Sequence, residues 1–325
     1  MKVSKAATVD IGLLVLVNTL WAAQYTAYKV ATEKMGPLTV SAWTFLMASI
    51  VLFPFLAWDR RKSQRRTPSG NSSGAGMTDA PSTLWTRKSI VAFAIAGVFG
   101  VVPGSALLAW GIDRSTASNA AIIYLTLPVI TAVLASVVLG ERMSKLRWAS
   151  LGIALTGVLL LSAPDLRQLS LSNSKFLMGN ILVLLACVAS SLYNVYCKEL
   201  LQWFSPVQVL VYGYLIAFCC TVVLLCWAEP VSWSSIASYS ASTWIALAVL
   251  SVFSWGLAMV LWMFLLERLD VSQASVSIYL LPFLGVVISA ITLHESIGAN
   301  TILGGVITLG GTVLITTLES TPSES

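Results

Sequence analysis

The chain has 325 residues, 57% of them hydrophobic and only 10% charged, with a net charge of +5. An ordinary soluble domain carries roughly 25% charged residues, so this composition cannot cover a water-exposed surface. The basic excess is not a nucleic-acid signal, because Arg60, Arg61, Lys62, Arg65 and Arg66 cluster with no aromatic residue between them for bases to stack on.

About 20 apolar residues are needed to cross the hydrocarbon core of a bilayer as a helix. Ten such runs appear in order, at 9–30, 37–57, 89–110, 117–139, 146–163, 176–197, 206–228, 243–266, 272–293 and 297–317. They do not alternate in the short segments of an outer-membrane barrel. The expected fold is an all-α membrane protein of ten transmembrane helices. The first run follows Lys2 and Lys5 and is read as a retained helix, not a cleaved signal. Most connections are short. Residues 59–88 are the exception, expected to be a flexible cytoplasmic linker because they include 67–82, rich in Ser, Gly and Pro. All five cysteines fall in two apolar runs without metal-ligand spacing, so neither a metal site nor a disulfide framework is expected, and no cofactor motif is visible.

With the N-terminus on the cytoplasmic side, fourteen of the Lys and Arg residues fall inside and five outside. The positive-inside rule therefore places both termini in the cytoplasm. The expected location is the cytoplasmic (inner or plasma) membrane.

The chain also resembles itself. At an offset of 154, Ser118 pairs with Ser272, Leu127–Pro128 with Leu281–Pro282, Glu141 with Glu295 and Gly157 with Gly311. Earlier in each half an offset of 169 pairs Lys29 with Lys198 and Pro37 with Pro206. The expected organisation is a first five-helix repeat at 1–163, a second at 164–318 and a short cytoplasmic tail at 319–325. An odd number of helices per repeat forces the second copy to enter from the opposite side. Such inverted repeats typify secondary transporters with a substrate site near the midplane.

The quoted stretches carry a family resemblance. LWAAQYTAYKVATEKMGP from Leu20, ASNAAIIYLTLPVITAVLASVVLGERMS from Ala117 and VSQASVSIYLLPFLGVVISAITLHESI from Val271 are similar to the ten-helix EamA-type permeases of the drug/metabolite transporter superfamily. The chain departs from that pattern at Trp43 and Thr44, where the family often has an arginine, at His294 in place of a glycine, and in its linker. The resemblance implies a permease or exporter of small metabolites, amino acids or related compounds, or drugs.

No acidic residue sits at the middle of an expected helix, so a proton or other coupling ion has no visible relay. Site candidates are polar and aromatic residues within the helices. Asn18, Trp21 and Tyr25 share one face of the first helix, with Lys29 beyond them. Ser190, Tyr193 and Asn194 share a face of the sixth. Asn119, Tyr124, Tyr212, Trp255, Trp262 and Tyr279 would complete an aromatic lining for a small-molecule substrate. Pro128 and Pro282 are candidate hinges. Glu141 and Glu295 are expected to accept from amides opening the helix that follows each. Expected partners are membrane lipids, substrate, a coupling ion and a second copy in a homodimer. The competing readings are a membrane-embedded lipid-modifying enzyme, which lacks an evident catalytic cluster, and a receptor or scaffold using the basic loop.

Overall fold

The computed structural model describes residues 5–32, 34–66, 85–114, 123–161, 174–229, 236, 238–293 and 299–318. Among these it is all helix and turn, with no strand. Helix α1 spans Lys5–Thr32 and α2 spans Pro37–Arg66. Helix α3, Arg87–Ala94, passes through a π-helical run, Ile95–Val101, into α4, Val102–Asp113. Next come α5 at Leu127–Val138, α6 at Lys145–Leu161, α7 at Ser174–Leu200 and α8 at Pro206–Ala228. Helix α9, Ala241–Val249, runs through a second π-helical segment, Leu250–Ala258, into α10, Met259–Arg268. Helix α11, Val271–Val276, is joined by a 3₁₀ turn at Ser277–Tyr279 to α12, Leu280–Leu293, and α13 is Ala299–Leu318.

Five stretches are long and apolar enough to cross a membrane: Pro37–Asp59, Arg87–Leu108, Phe176–Leu200, Pro206–Ala228 and Ala241–Arg268. Ala7–Ala22, Leu127–Val138, Val271–Gly285 and Ile302–Thr317 are shorter apolar helices. Large apolar side chains face outward along them, among them Phe53, Phe55, Phe99, Val137, Met178 and Trp227, the last 88% exposed. Such a belt is costly in water and suited to acyl chains. The molecule is a multi-pass membrane protein.

The helix ends differ from expectation at the linker. Helix α2 continues to Arg66, and α3 opens with Thr86 and Ser89 in a capping box. The hydroxyl of Thr86 accepts from Ser89 N at 3.2 Å, and Ser89 Oγ accepts from Thr86 N at 3.0 Å. The capping box opens α3 at Arg87, two residues before the expected start. Pro128 also sits differently. It occupies the first turn of α5, after a turn at Leu125–Thr126, where its missing N–H costs nothing. Pro282 likewise follows the 3₁₀ turn, as the third residue of α12.

Glycines set the closest helix contacts. A Cβ on Gly157 would lie 2.6 Å from Thr308 N and 2.7 Å from Gly304 O. One on Gly311 would lie 2.8 Å from Ala154 N and 2.8 Å from Ser150 O. Ala154 and Thr308, Gly157 and Gly311, Ser150 and Gly304 are all pairs at the offset of 154. Each contact between α6 and α13 is thus returned with the roles exchanged, and the helices run antiparallel. Thr308 Oγ1 meets the carbonyl of Ala154, its own mate, at 3.4 Å. Tyr279 donates to Leu125 O at 2.9 Å, again a pair at 154.

Helices α2 and α8 are also antiparallel. Phe45 stacks on Tyr214 at mid-length, with ring centroids 5.8 Å apart. Beyond the C-terminus of α8, Glu229 accepts from Leu38 N, Thr39 N and Thr39 Oγ1, each at 3.1 Å, at the start of α2. At the other end, Asp59 of α2 accepts from Ser205 Oγ, the N-cap of α8, at 2.6 Å.

Polar ties gather the helix ends. At one end of the bundle Arg268 meets Asp10 at 3.4 Å and Lys88 meets Glu199 at 3.2 Å. Arg147 pairs with Asp270 there, and Lys198 donates to Leu266 O and to Leu269 O, the latter at 3.0 Å. The opposite end carries Glu229 with the start of α2, and the backbone of Arg114 against Gly179. The side chains of Lys88, Arg147, Lys198 and Arg268 thus gather at one end.

The glycine geometry predicts a sharp contrast. Gly157→Ala and Gly311→Ala each force backbone apart and should cost about 1–3 kcal/mol, lowering the thermal midpoint in detergent by several degrees. Gly152→Ala and Gly310→Ala, where an added Cβ meets nothing within 4 Å, should leave the midpoint unchanged or raised.

Candidate functional site

A polar and aromatic seam runs through the interior where α1, α7 and α10 approach the 3₁₀ turn before α12. Each member is placed by helical spacing. Asn18 and Trp21 are three residues apart on α1, so they face the same neighbours. Asn18 is fully buried. Its amide donates to Leu14 O at 2.8 Å and to Ser277 Oγ at 3.0 Å. Its Oδ1 has no partner among the described residues. A buried acceptor without a donor is rare.

One turn along, the Trp21 ring lies 5.2 Å from that of Trp262. Trp262 is fully buried and donates through Nε1 to Asn194 Oδ1 at 3.2 Å, joining α10 to α7. Farther along, Trp255 packs edge-on against Phe45 at 5.1 Å and its carbonyl accepts from the Tyr214 hydroxyl at 2.8 Å. The Trp255 Nε1 donor is buried and unpartnered among the described residues. Tyr193 is buried against Gly100, where a Cβ would lie 2.9 Å from its Cα.

The structure therefore brings together Asn18, Trp21, Asn194 and Trp262, with Tyr193 and Trp255 in the same core cluster or packed on it. It sets others elsewhere. Tyr212 also packs on that cluster, but within an aromatic group with Trp85, Phe93 and Phe204, near the start of α3 and the turn before α8. Tyr279 is buried among Leu125, Leu151, Ala154, Val158 and Ile315, its hydroxyl occupied by the Leu125 carbonyl. Ser190 lines the crossing of α7 with α4, where its Oγ would lie 2.8 Å from a Cβ on Gly104. Tyr124 is partly buried before the α5 break. Asn119 and Glu295, and the side chains of Tyr25 and Lys29, lie outside the described residues.

Sequence reasoning passed over Ser277, the partner of Asn18. It also passed over Thr131 and Ser191, a buried hydroxyl pair at 2.8 Å. Small hydroxyls in apolar helices give no distinct signal, and only the spatial pairing singles these out.

Glu141 departs from expectation in an informative way. It does cap a helix, but not the one that follows it. Its Oε1 accepts from Val271 N at 2.7 Å, and its Oε2 from Ser272 N at 3.0 Å and Ser272 Oγ at 2.6 Å. The capped helix is α11, about 130 residues away, because the chain between Leu139 and Lys145 turns through Gly140, at φ +72°, and aims the carboxylate across the molecule. Lys198 likewise caps, covering the last carbonyls of α10. Outside the helices, burial and the Glu229 carboxylate push the Tyr239 phenol above its usual pKa, so it stays protonated.

The seam carries paired amides, hydroxyls and indoles and, among its described members, no charge. No group of three or more His, Cys, Asp or Glu that could hold a metal occurs among the described residues.

Comparison with known proteins agrees with this setting. The model of the EamA-like transporter family matches twice, at residues 10–163 and 177–317. The chain is 25% identical over 304 residues to an uncharacterized transporter of Archaeoglobus fulgidus, covering 94% of this chain and 96% of that protein. It is 24% identical over 315 residues to a probable terminal-alkyne amino-acid exporter of Streptantibioticus cattleyicolor, covering 97% and 94%. A solved crystal structure superposes with a TM-score of 0.71 at 16% identity, over 95% of this chain and 96% of that one, and so shares the fold. With both matches together spanning most of its length, the chain belongs to the EamA-like transporter family of the drug/metabolite transporter superfamily.

Proposed function

We propose that this protein is a secondary permease that exports amino acids or related small metabolites by alternating access between two inverted five-helix repeats. Ten helices cross the cytoplasmic membrane in this reading, both termini are cytoplasmic, and a proton or another ion supplies the coupling. The observation that carries it is the exchange of roles between halves. Gly157 and Gly311, mates at the offset of 154, make each other's contacts. Role-exchanged contacts of this kind are what a twofold axis produces. Because the paired helices are antiparallel, that axis lies in the membrane plane, which is the arrangement of inverted repeats. The π-helical runs at Ile95–Val101 and Leu250–Ala258, which fall at similar places in the two halves, support the same reading.

The site is the seam of Asn18, Trp21, Asn194 and Trp262, with the unpaired Asn18 Oδ1 accepting from an amino group of substrate. Neutral hydrogen-bonding groups among aromatic walls suit a zwitterion, whose own charges cancel, better than a strongly ionic solute. The relative named as a probable amino-acid exporter supports the same substrate class.

Two measurements test this. In proteoliposomes given a panel of amino acids and nucleosides, with and without a pH gradient, at least one amino acid should be taken up. Labels on Gln168 and Gln202 should report opposite sides of the membrane. Transport of no amino acid removes the substrate class, and both labels on one side removes the inverted repeat. Separately, Asn18→Leu and Trp262→Phe should lower transport about tenfold or more. The Trp262→Phe thermal midpoint should fall only modestly, since one interhelical hydrogen bond contributes about 0.6–1.7 kcal/mol. Wild-type transport by both variants would move the site off this seam.

A further inference from the structure

The tie between the Glu141 turn and the start of α11 joins the first half of the chain to the second at the basic end. Glu141 accepts two amides and a hydroxyl from Val271 and Ser272. Arg147, at the start of α6 and only 9% exposed, backs the same point. Its guanidinium donates to Ser272 Oγ at 3.0 Å, pairs with Asp270, and lies 3.9 Å from Glu141 Oε2. Charge-assisted bonds held in a partly buried place are the stronger kind, and this set closes a gap that motion of the two halves would open.

The repeat offset shows what the other end can and cannot copy. The mate of Glu141 is Glu295, and the mate of Ser272 is Ser118. The sequence therefore repeats the carboxylate and the serine. The mate of Arg147 is Thr301, and the mate of Asp270 is Thr116. The sequence does not repeat either charge of the ion pair at these mate positions. In a transporter built from two like halves, the two end states would be close in energy unless residues outside the symmetry separate them. A ligand or contact shifts such an equilibrium only by its difference between states.

We infer that Glu141, Arg147 and Asp270 form a latch that holds the basic end shut, and that its missing charged counterpart biases the resting protein toward that closed state. This rests on the alternating-access reading above. Removing Arg147 alone does more than delete an attraction. It leaves the carboxylates of Glu141 and Asp270 around Ser272 with their shared cation gone, and like charges then favour separation.

The test uses the full chain in nanodiscs, its five natural cysteines replaced, with spin-label distances read by pulsed electron resonance. One label pair replaces Arg142 and Glu267, both exposed at the basic end. The second replaces their repeat mates Ser296 and Asp113. Arg147→Gln should raise the long-distance population of the first pair about tenfold and shorten the second pair in step. Arg147→Lys should stay near wild type. The double substitution Thr116→Asp with Thr301→Arg places the two charges at the repeat-mate positions. It should shift both distances in the same directions as Arg147→Gln, and it tests the latch even if Arg147→Gln fails to fold. Unchanged distances in Arg147→Gln, or in the graft, overturn the latch. A basic end that opens while the second pair stays fixed overturns the alternating access beneath it.

Discussion

A helix end inside or beside a membrane has backbone groups that water cannot easily reach, and those groups must be satisfied by the protein. This requirement organises the molecule. Glu141 satisfies the opening amides of α11, Glu229 those of α2, and Lys198 the closing carbonyls of α10. The first two reach from one half of the chain to the other. Asp59 on the hydroxyl of Ser205 does the same. Capping, ordinarily a local device, here fixes how the two halves sit together.

Between the capped ends, close contact depends on backbone meeting backbone. Gly157 and Gly311 let α6 and α13 approach to where an alanine methyl would not fit, and Gly100, Gly104 and Gly111 do the same for the crossing on α7. Lipid offers no hydrophobic drive for helices to associate, so such packing and buried hydrogen bonds must supply it. The π-helical runs and the breaks before Pro128 and Pro282 interrupt otherwise regular helices near this core. Carbonyls left by the breaks find side chains: Ile123 O accepts from Thr126 Oγ1 at 2.7 Å and Leu125 O from Tyr279. Irregular backbone persists at such depth only where it is satisfied in this way.

Much of this was legible in the sequence, for reasons that are physical. Long uncharged runs announce membrane helices because charge is excluded from hydrocarbon. Asn18 and Trp21 could be placed on one inner face, since helical periodicity is local. What periodicity cannot convey is which helix lies opposite. Glu141 read as a cap, yet its target could not be told from position, because the partner amides are about 130 residues away. Tyr212 read like Tyr193, an aromatic in an apolar helix, though Tyr212 packs among Trp85, Phe93 and Phe204 and Tyr193 against Gly100. The linker misled in the other direction. Its basic start, Arg60 to Arg66, continues α2, because a helix already formed extends at little cost into any residues that tolerate it.

Scaffold and lining obey different rules. At the offsets of the repeat, Asn18 corresponds to Cys187 and Ser277 to Ile123. Both pairs touch: Asn18 donates to Ser277 Oγ at 3.0 Å, and Cys187 Sγ meets Ile123 O at 3.8 Å. The contact has been kept while its chemistry has diverged, from amide and hydroxyl on one side to a weakly polar thiol on the other. A bundle that rocks between two similar states gains from like halves. A substrate with an amino group at one end and something else at the other cannot be matched by identical walls. Symmetry in the glycine contacts thus stands beside asymmetry at Asn18 and Cys187, and under the proposed function the second would be what tells the two ends of a substrate apart.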